Sequence, residues 1–329
     1  MTTRTSGSTA QGVAAALAVA ATLPYLTLKL LWLTGHPVGA DDPAALDKLW
    51  LVNLLTFGMD AIAVVLALAF ARPWGRRAPA GLLAFPMWVA TGLLGTILVA
   101  LPLYLLTVPL FGTGEAPKQD DGPSGLGDWV FAVVYGGFSV QGIALITAFL
   151  LYARRRWVGL LRSRIGELPD SPTLTVQRAL ACVAALLALG VAAARIYWAA
   201  GGTTGLPLQW VEERGRSMAV LDGTTAVMAV AAPAALLLLV FRRLPGRRLR
   251  VPLATAWTAS GSLFGWGAWQ LVAFAATTEV PEARKAVPGL LPMVEALQVV
   301  VGLLVLVVGA VALVERAAAR RSADVESAR

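Results

Sequence analysis

The chain has 329 residues, of which 57% are hydrophobic and only 14% charged, and its formal net charge is +8. Soluble domains carry about a quarter charged residues, so this composition, with a mean hydropathy of +0.71, excludes an ordinary soluble enzyme. A single cysteine, Cys182, and a single histidine, His36, exclude an intrachain disulfide and any zinc or haem centre built from several Cys or His ligands.

Apolar runs occur at 11–33, 49–71, 80–106, 129–152, 174–199, 217–241, 251–276 and 289–314. Each meets the requirement of about 20 residues for a bilayer span. Hydrocarbon offers backbone groups no partner, so such runs span as helices. The expected fold is therefore all-α, a polytopic bundle of eight transmembrane helices. The first run continues to Leu33, longer than the core of about 7–15 residues of a signal peptide. The connections are rich in Gly, Pro, Asp and Arg, as suits interfacial turns.

Loop charge sets the expected orientation. The connections after the second, fourth and sixth runs hold Arg72, Arg76 and Arg77, then Arg154–Arg156, Arg162 and Arg164, then Arg242, Arg243, Arg247, Arg248 and Arg250. With Arg4, Arg178 and four arginines of the tail, nineteen basic residues fall on one side, against six on the other, among them Lys48, Lys118 and Arg214. The positive-inside rule makes the richer side cytoplasmic, which puts both termini in the cytoplasm of a cell-membrane protein. The +8 is then a topology signal, and nucleic acid is not an expected partner. Trp32, Trp50, Trp129, Trp198 and Trp210 at one boundary, and Trp74 and Trp157 at the other, read as interfacial anchors.

The runs also repeat. Lys29-x-x-Trp32-x-x-Gly35-x-x-x-Gly39 matches Arg195-x-x-Trp198-x-x-Gly201-x-x-x-Gly205. Arg72-Pro-Trp-Gly75-Arg-Arg77 matches Arg243-Leu-Pro-Gly246-Arg-Arg248, and Trp88-x-x-x-Gly92 matches Trp257-x-x-x-Gly261. Three matches in order imply two parallel four-helix repeats. The expected organisation is an N-terminal tail at 1–10, a first repeat at 11–152, a basic linker at 153–173, a second repeat at 174–315 and a tail at 316–329. Parallel repeats occur in some transporters, with the site between the halves.

A charge at the centre of a span costs about 2.5–3.5 kcal/mol on insertion scales, so each one needs a partner or a wet cavity. Five are found: Lys29, Asp60, Arg195, Asp222 and Glu295. Asp60 lies near the middle of its run, with Asn53 and Thr56 on the same helical face. Glu295 shares a face with Gln298, Tyr135 with Ser139 beside Gln141, and Ser262 with Trp266 and Gln270. The expectation is an outward polar chamber lined by both repeats, with Asp60, Lys29, Arg195, Asp222, Glu295, Asn53 and Gln298 as candidate ligand, ion or proton sites. Against it stand simpler readings: snorkelling of Lys29 and Arg195 to the surface, a structural Lys29–Asp60 pair, and helix-start roles for Asp222 and Glu295.

Other features point to structure. Gly261-x-x-x-Gly265 suits close helix packing. Asp120, Asp121 and Asp128 lack calcium-loop spacing, and His36 beside Pro37 reads as a turn residue. No phosphate-binding loop, dinucleotide fingerprint, zincin motif or nucleophile elbow in a suitable context is found. No cofactor or metal is expected and no catalytic residue is assignable. The segments Tyr25-x-x-x-Lys29-x-x-Trp32 and Tyr197-Trp198-x-x-Gly201-Gly202 resemble uncharacterised actinobacterial multi-pass integral membrane proteins, a resemblance that implies no activity. Three functions fit: transport or binding of a small solute, ion or proton; a structural or sensory partner of another membrane protein or of a second copy; and an intramembrane lipid or isoprenoid enzyme using Asp60 or Glu295 as a buried acid. The first uses the most features, and an enzyme is the weaker expectation.

Overall fold

The computed structural model describes residues 3–40, 50–112, 126–212, 214–277 and 289–327. Among them the chain is α-helical, with no strand and two isolated bridges, Ala40 to Leu126 and Arg164 to Arg248. The elements are α1 (Thr3–Leu33), α2 (Trp50–Ala71), α3 (Pro73–Arg77), α4 (Ala80–Phe111), α5 (Asp128–Arg156), α6 (Val158–Arg162), a 3-10 turn at Ile165–Glu167, α7 (Leu174–Ala199), α8 (Leu208–Glu212), α9 (Arg216–Val240), α10 (Arg250–Thr277) and α11 (Leu290–Ser327). The long helices follow the apolar runs closely. They depart at the termini, where α1 begins at Thr3 and α11 continues through Ser327 into what the sequence reads as tails.

Seven of the helices are long and apolar enough to cross a membrane, and α10 is the long helix left out. Its composition explains this: Thr255, Trp257, Thr258, Ser260, Ser262, Trp266 and Gln270 lower its hydropathy. Its position explains why that is tolerated, since α10 packs against α4, α9 and α11 at once and keeps much of its polar side away from lipid. Along the middle of α7 the usual radial order of size is inverted. On α7, Ala181, Ala184, Ala188 and Ala192 are buried, while Leu186 is 71% and Leu189 62% exposed. In water such a surface would be an aggregation liability. In lipid, small residues let helices approach and large ones face the acyl chains, which is the pattern of a multi-pass helical membrane protein.

Two main cores form, beside smaller clusters around Trp32 and around Ile165. One joins α1, α2, α4 and α5 around Leu66, Phe70, Met87, Leu145 and Tyr152. The other joins α7, α9, α10 and α11 around Val191, Trp198, Leu236, Leu263 and Val301. The groups meet chiefly where α4 packs on α10. There a β-carbon added to Gly92 would lie 2.0 Å from the carbonyl carbon of Gly261, and one added to Gly261 would lie 2.4 Å from Trp88 O. Beside this crossing the Trp88 indole donates to Ser260 Oγ at 2.9 Å, the Thr96 and Ser262 hydroxyls pair at 2.6 Å, and Gly265 lies against Leu93. The Gly261-x-x-x-Gly265 pair thus serves packing.

At one end of the bundle, the Arg156 guanidinium gathers the carbonyls of Gly75, Arg76 and Ala78, tying α5 to the connection between α2 and α4. In the second group, Arg316 and Arg320 donate to Ser163 Oγ. Glu315 accepts from Ser171, from Thr173 at 2.7 Å and from Gln177 at 2.8 Å, so α11 fixes the start of α7.

Candidate functional site

The helix ends carrying the Trp and Gly motifs fold alike. The Trp32 indole donates to Val38 O at 2.8 Å and the Trp198 indole to Thr204 O at 3.0 Å, each six residues onward. Gly35 and Gly39 have φ of 83° and 74°, and Gly201 and Gly205 have 96° and 83°, conformations in which a β-carbon is strained. The turn brings a backbone carbonyl under the indole. Trp32 and Trp198 are consequently buried and are not interfacial anchors, which corrects the sequence reading. Trp50, Trp74 and Trp129 are about half exposed, as anchors would be.

One turn before each tryptophan sits the basic residue, and here the five intramembrane charges divide. Lys29 is only 4% exposed, so it does not snorkel. Its ammonium donates to Asn53 Oδ1 at 2.6 Å and lies 4.8 Å from the Tyr25 ring centre and 5.1 Å from that of Trp32. An amide oxygen and two π-faces thus stabilise the cation. Asp60, 6% exposed, is about two turns further along the same face of α2. Gln141, Lys29 and Tyr25 are its polar neighbours. Its Oδ2 is buried with no hydrogen-bond partner. The direct Lys29–Asp60 pair expected as the structural alternative is replaced by Lys29–Asn53.

In the second cluster the carboxylate oxygens are all engaged. Arg195 donates to Asp222 Oδ1 at 2.8 Å and to Glu295 Oε1 at 2.5 Å. Arg214 donates to Asp222 Oδ2 at 2.5 Å and also to Trp198 O, and Gln298 donates to Glu295 Oε2. Arg195 stacks on Trp198, 5.4 Å from the ring centre. Two guanidiniums and two carboxylates balance, which is the condition for retaining buried charges. Arg214 was missed by sequence reasoning, which placed it among loop charges; it precedes the start of α9 at Arg216, so helical periodicity does not apply to it.

Lys29, Asn53 and Asp60 therefore belong to the first core and Arg195, Asp222, Glu295 and Gln298 to the second. No hydrogen bond or ion pair joins the clusters among the described residues. The single chamber lined by both repeats is corrected accordingly: Ser262 is taken up at the α4–α10 contact, while Trp266 and Gln270 line a pocket beside Arg195. Tyr135 lies near Tyr25, on the side of the first cluster. His36 is in an exposed turn, its Nδ1 3.3 Å from Thr34 Oγ1. Asp120, Asp121, Lys48 and Lys118 lie outside the described residues, as does the side chain of Asp128. Among the described residues no group of three or more His, Cys, Asp or Glu is arranged to hold a metal.

Compared with known proteins, the chain matches no family model, no curated protein and no solved structure.

Proposed function

We propose that the chain is a cell-membrane protein of eight transmembrane helices, built as two parallel four-helix repeats with both termini cytoplasmic, that binds and moves a proton or small solute, with Asp60 as the binding group. The observation that carries this reading is the buried, unpartnered Asp60 Oδ2. Intramembrane carboxylates that are merely structural are paired, as Asp222 and Glu295 are. Asp60 instead keeps an open acceptor while the nearby ammonium is held by Asn53, so the pair is available to a third party. The first bundle holds the proposed proton site, whereas the carboxylates of the second are matched by guanidiniums.

The repeat is supported by the like turns at Trp32 and Trp198 and by the form of the α4–α10 contact. At the 169-residue offset separating Trp88 from Trp257, Gly92 corresponds to Gly261, and these two meet each other. At the same offset, the contact of Leu93 with Gly265 exchanges into that of Thr96 with Ser262. Self-complementary contacts of this kind are expected around a two-fold axis.

The test is proton flux into dye-loaded proteoliposomes under an imposed potassium diffusion potential. Wild-type protein is expected to admit protons faster than empty vesicles and Asp60→Asn to fall to the vesicle background, with Asp60→Glu retaining part of the flux. Equal flux for wild type and Asp60→Asn would remove Asp60 from the mechanism.

A further inference from the structure

A second site lies apart from Asp60, at the end of the second bundle where α8 and the connection to α9 fold over α7. A small, partly open pocket is bordered there by Arg195, Arg214, Glu295 and Trp266, with Leu206, Trp210 and Leu291 forming an apolar wall. Small-molecule sites combine such a wall with a few polar groups.

The hydrogen-bond inventory selects the ligand. Both oxygens of Asp222 and both of Glu295 already accept from Arg195, Arg214 or Gln298. Two N–H donors in the pocket lining remain buried and without a partner: Arg195 Nε and Trp266 Nε1. Neither group can accept, and buried donors in native proteins are satisfied by protein, water or ligand. A cation would bring no acceptor to either of these donors. We propose that this pocket binds a small apolar monocarboxylate, whose acceptor-only head takes the Arg195 and Trp266 donors with Arg214 at its side, and whose body lies on the wall of Leu206, Trp210 and Leu291.

The head brings two oxygens with no proton to place, so it offers an acceptor to each of the two unpartnered donors. Water would satisfy the same donors, but it gains nothing from the apolar wall. An organic anion gains from both.

This inference does not rest on the role of Asp60. The probe is benzoate, titrated calorimetrically into full-length protein in lipid nanodiscs, with benzyl alcohol as the uncharged match and empty nanodiscs as the partition control. Saturable benzoate binding with a Kd below about 1 mM is expected, with no competition by benzyl alcohol. Loss of a hydrogen bond to a charged head corresponds to about 10-fold or more, so Trp266→Phe, which keeps the ring and removes the donor, is expected to weaken binding by at least that factor. Arg214→Gln is expected to weaken it similarly, and Asp60→Asn is expected to leave it unchanged. Equal heats for benzoate and benzyl alcohol, absence of saturable binding, or an unaltered Kd in a folded Trp266→Phe protein would each overturn the proposal.

Discussion

Gly92 and Gly261 meet backbone to backbone, and no side chain separates α4 from α10 at that point. Alanine at Gly92 would put a β-carbon 2.0 Å from the opposing main chain, a conflict that only movement of a helix relieves, whereas alanine at Gly95 would meet nothing closer than Thr258 Cγ2 at 3.5 Å. Overpacking of this kind costs about 1–3 kcal/mol or more. Gly92→Ala is expected to lower the melting temperature of detergent-purified protein clearly and Gly95→Ala to leave it within error.

Asp60 and Asp222 are equally buried but opposite in circumstance. Removing the charge of Asp222 strips Arg195 and Arg214 of a shared partner, and breaking a buried pair costs about 3–5 kcal/mol. Asp222→Asn is expected to be severely destabilised in a steric-trap or thermal unfolding measurement. Asp60→Asn removes a charge with no partner at Oδ2 and is expected to be neutral or mildly stabilising while abolishing proton flux. A large stability loss in Asp60→Asn would mark the residue as structural.

The paired turns offer a graded comparison. Gly35 has φ of 83° and open space around it, while Gly205 has the same φ and a Leu290 side chain 2.3 Å from where a β-carbon would stand. The left-handed conformation alone costs an ordinary residue about 1–2 kcal/mol. Gly35→Ala is expected to show about that loss in equilibrium unfolding, and Gly205→Ala distinctly more.

Glu315 holds three donors from the start of α7 and its approach. Replacing Glu315 by Ala removes them together, and each hydrogen bond to a charged group is worth about 1.5–3 kcal/mol before relaxation. Hydrogen exchange in 171–177 is expected to accelerate by at least about 10-fold, with exchange in α2 unchanged.

Orientation is testable because Cys182 is the only cysteine. In a Cys182→Ala background, cysteine at His36 is expected to react with an impermeant maleimide from outside the cell, and cysteine at Arg247 only after the membrane is opened. The reverse pattern would invert the proposed topology.

What the sequence conveyed depends on how locally each feature is encoded. Helix positions were legible because about 20 consecutive apolar residues define a span without reference to anything else. The likeness of the turns that follow Lys29 and Arg195 was legible from the adjacent Trp and Gly. The residues that receive those two cations were not, since one is an amide, Asn53, and the other a carboxylate, Asp222. The tryptophans misled for a different reason: an indole near a span end reads as an anchor, and only the left-handed glycines that return a carbonyl to its N–H make it a core residue. Polar side chains on α10 were visible, but which of them meet α4 and which border the pocket depends on helix rotation, and the runs of small residues leave that unspecified.

The salt-linked cluster of the second half has a consequence for biogenesis. Its charges arrive on separate helices, Arg195 on α7, Asp222 on α9 and Glu295 on α11, and synthesis delivers them in that order. Until α11 is in place, Arg195 faces a bilayer environment with one of its two partners missing. The charge network of the second bundle is therefore completed only by α11, and a nascent chain arrested after α9 would display an incompletely neutralised guanidinium.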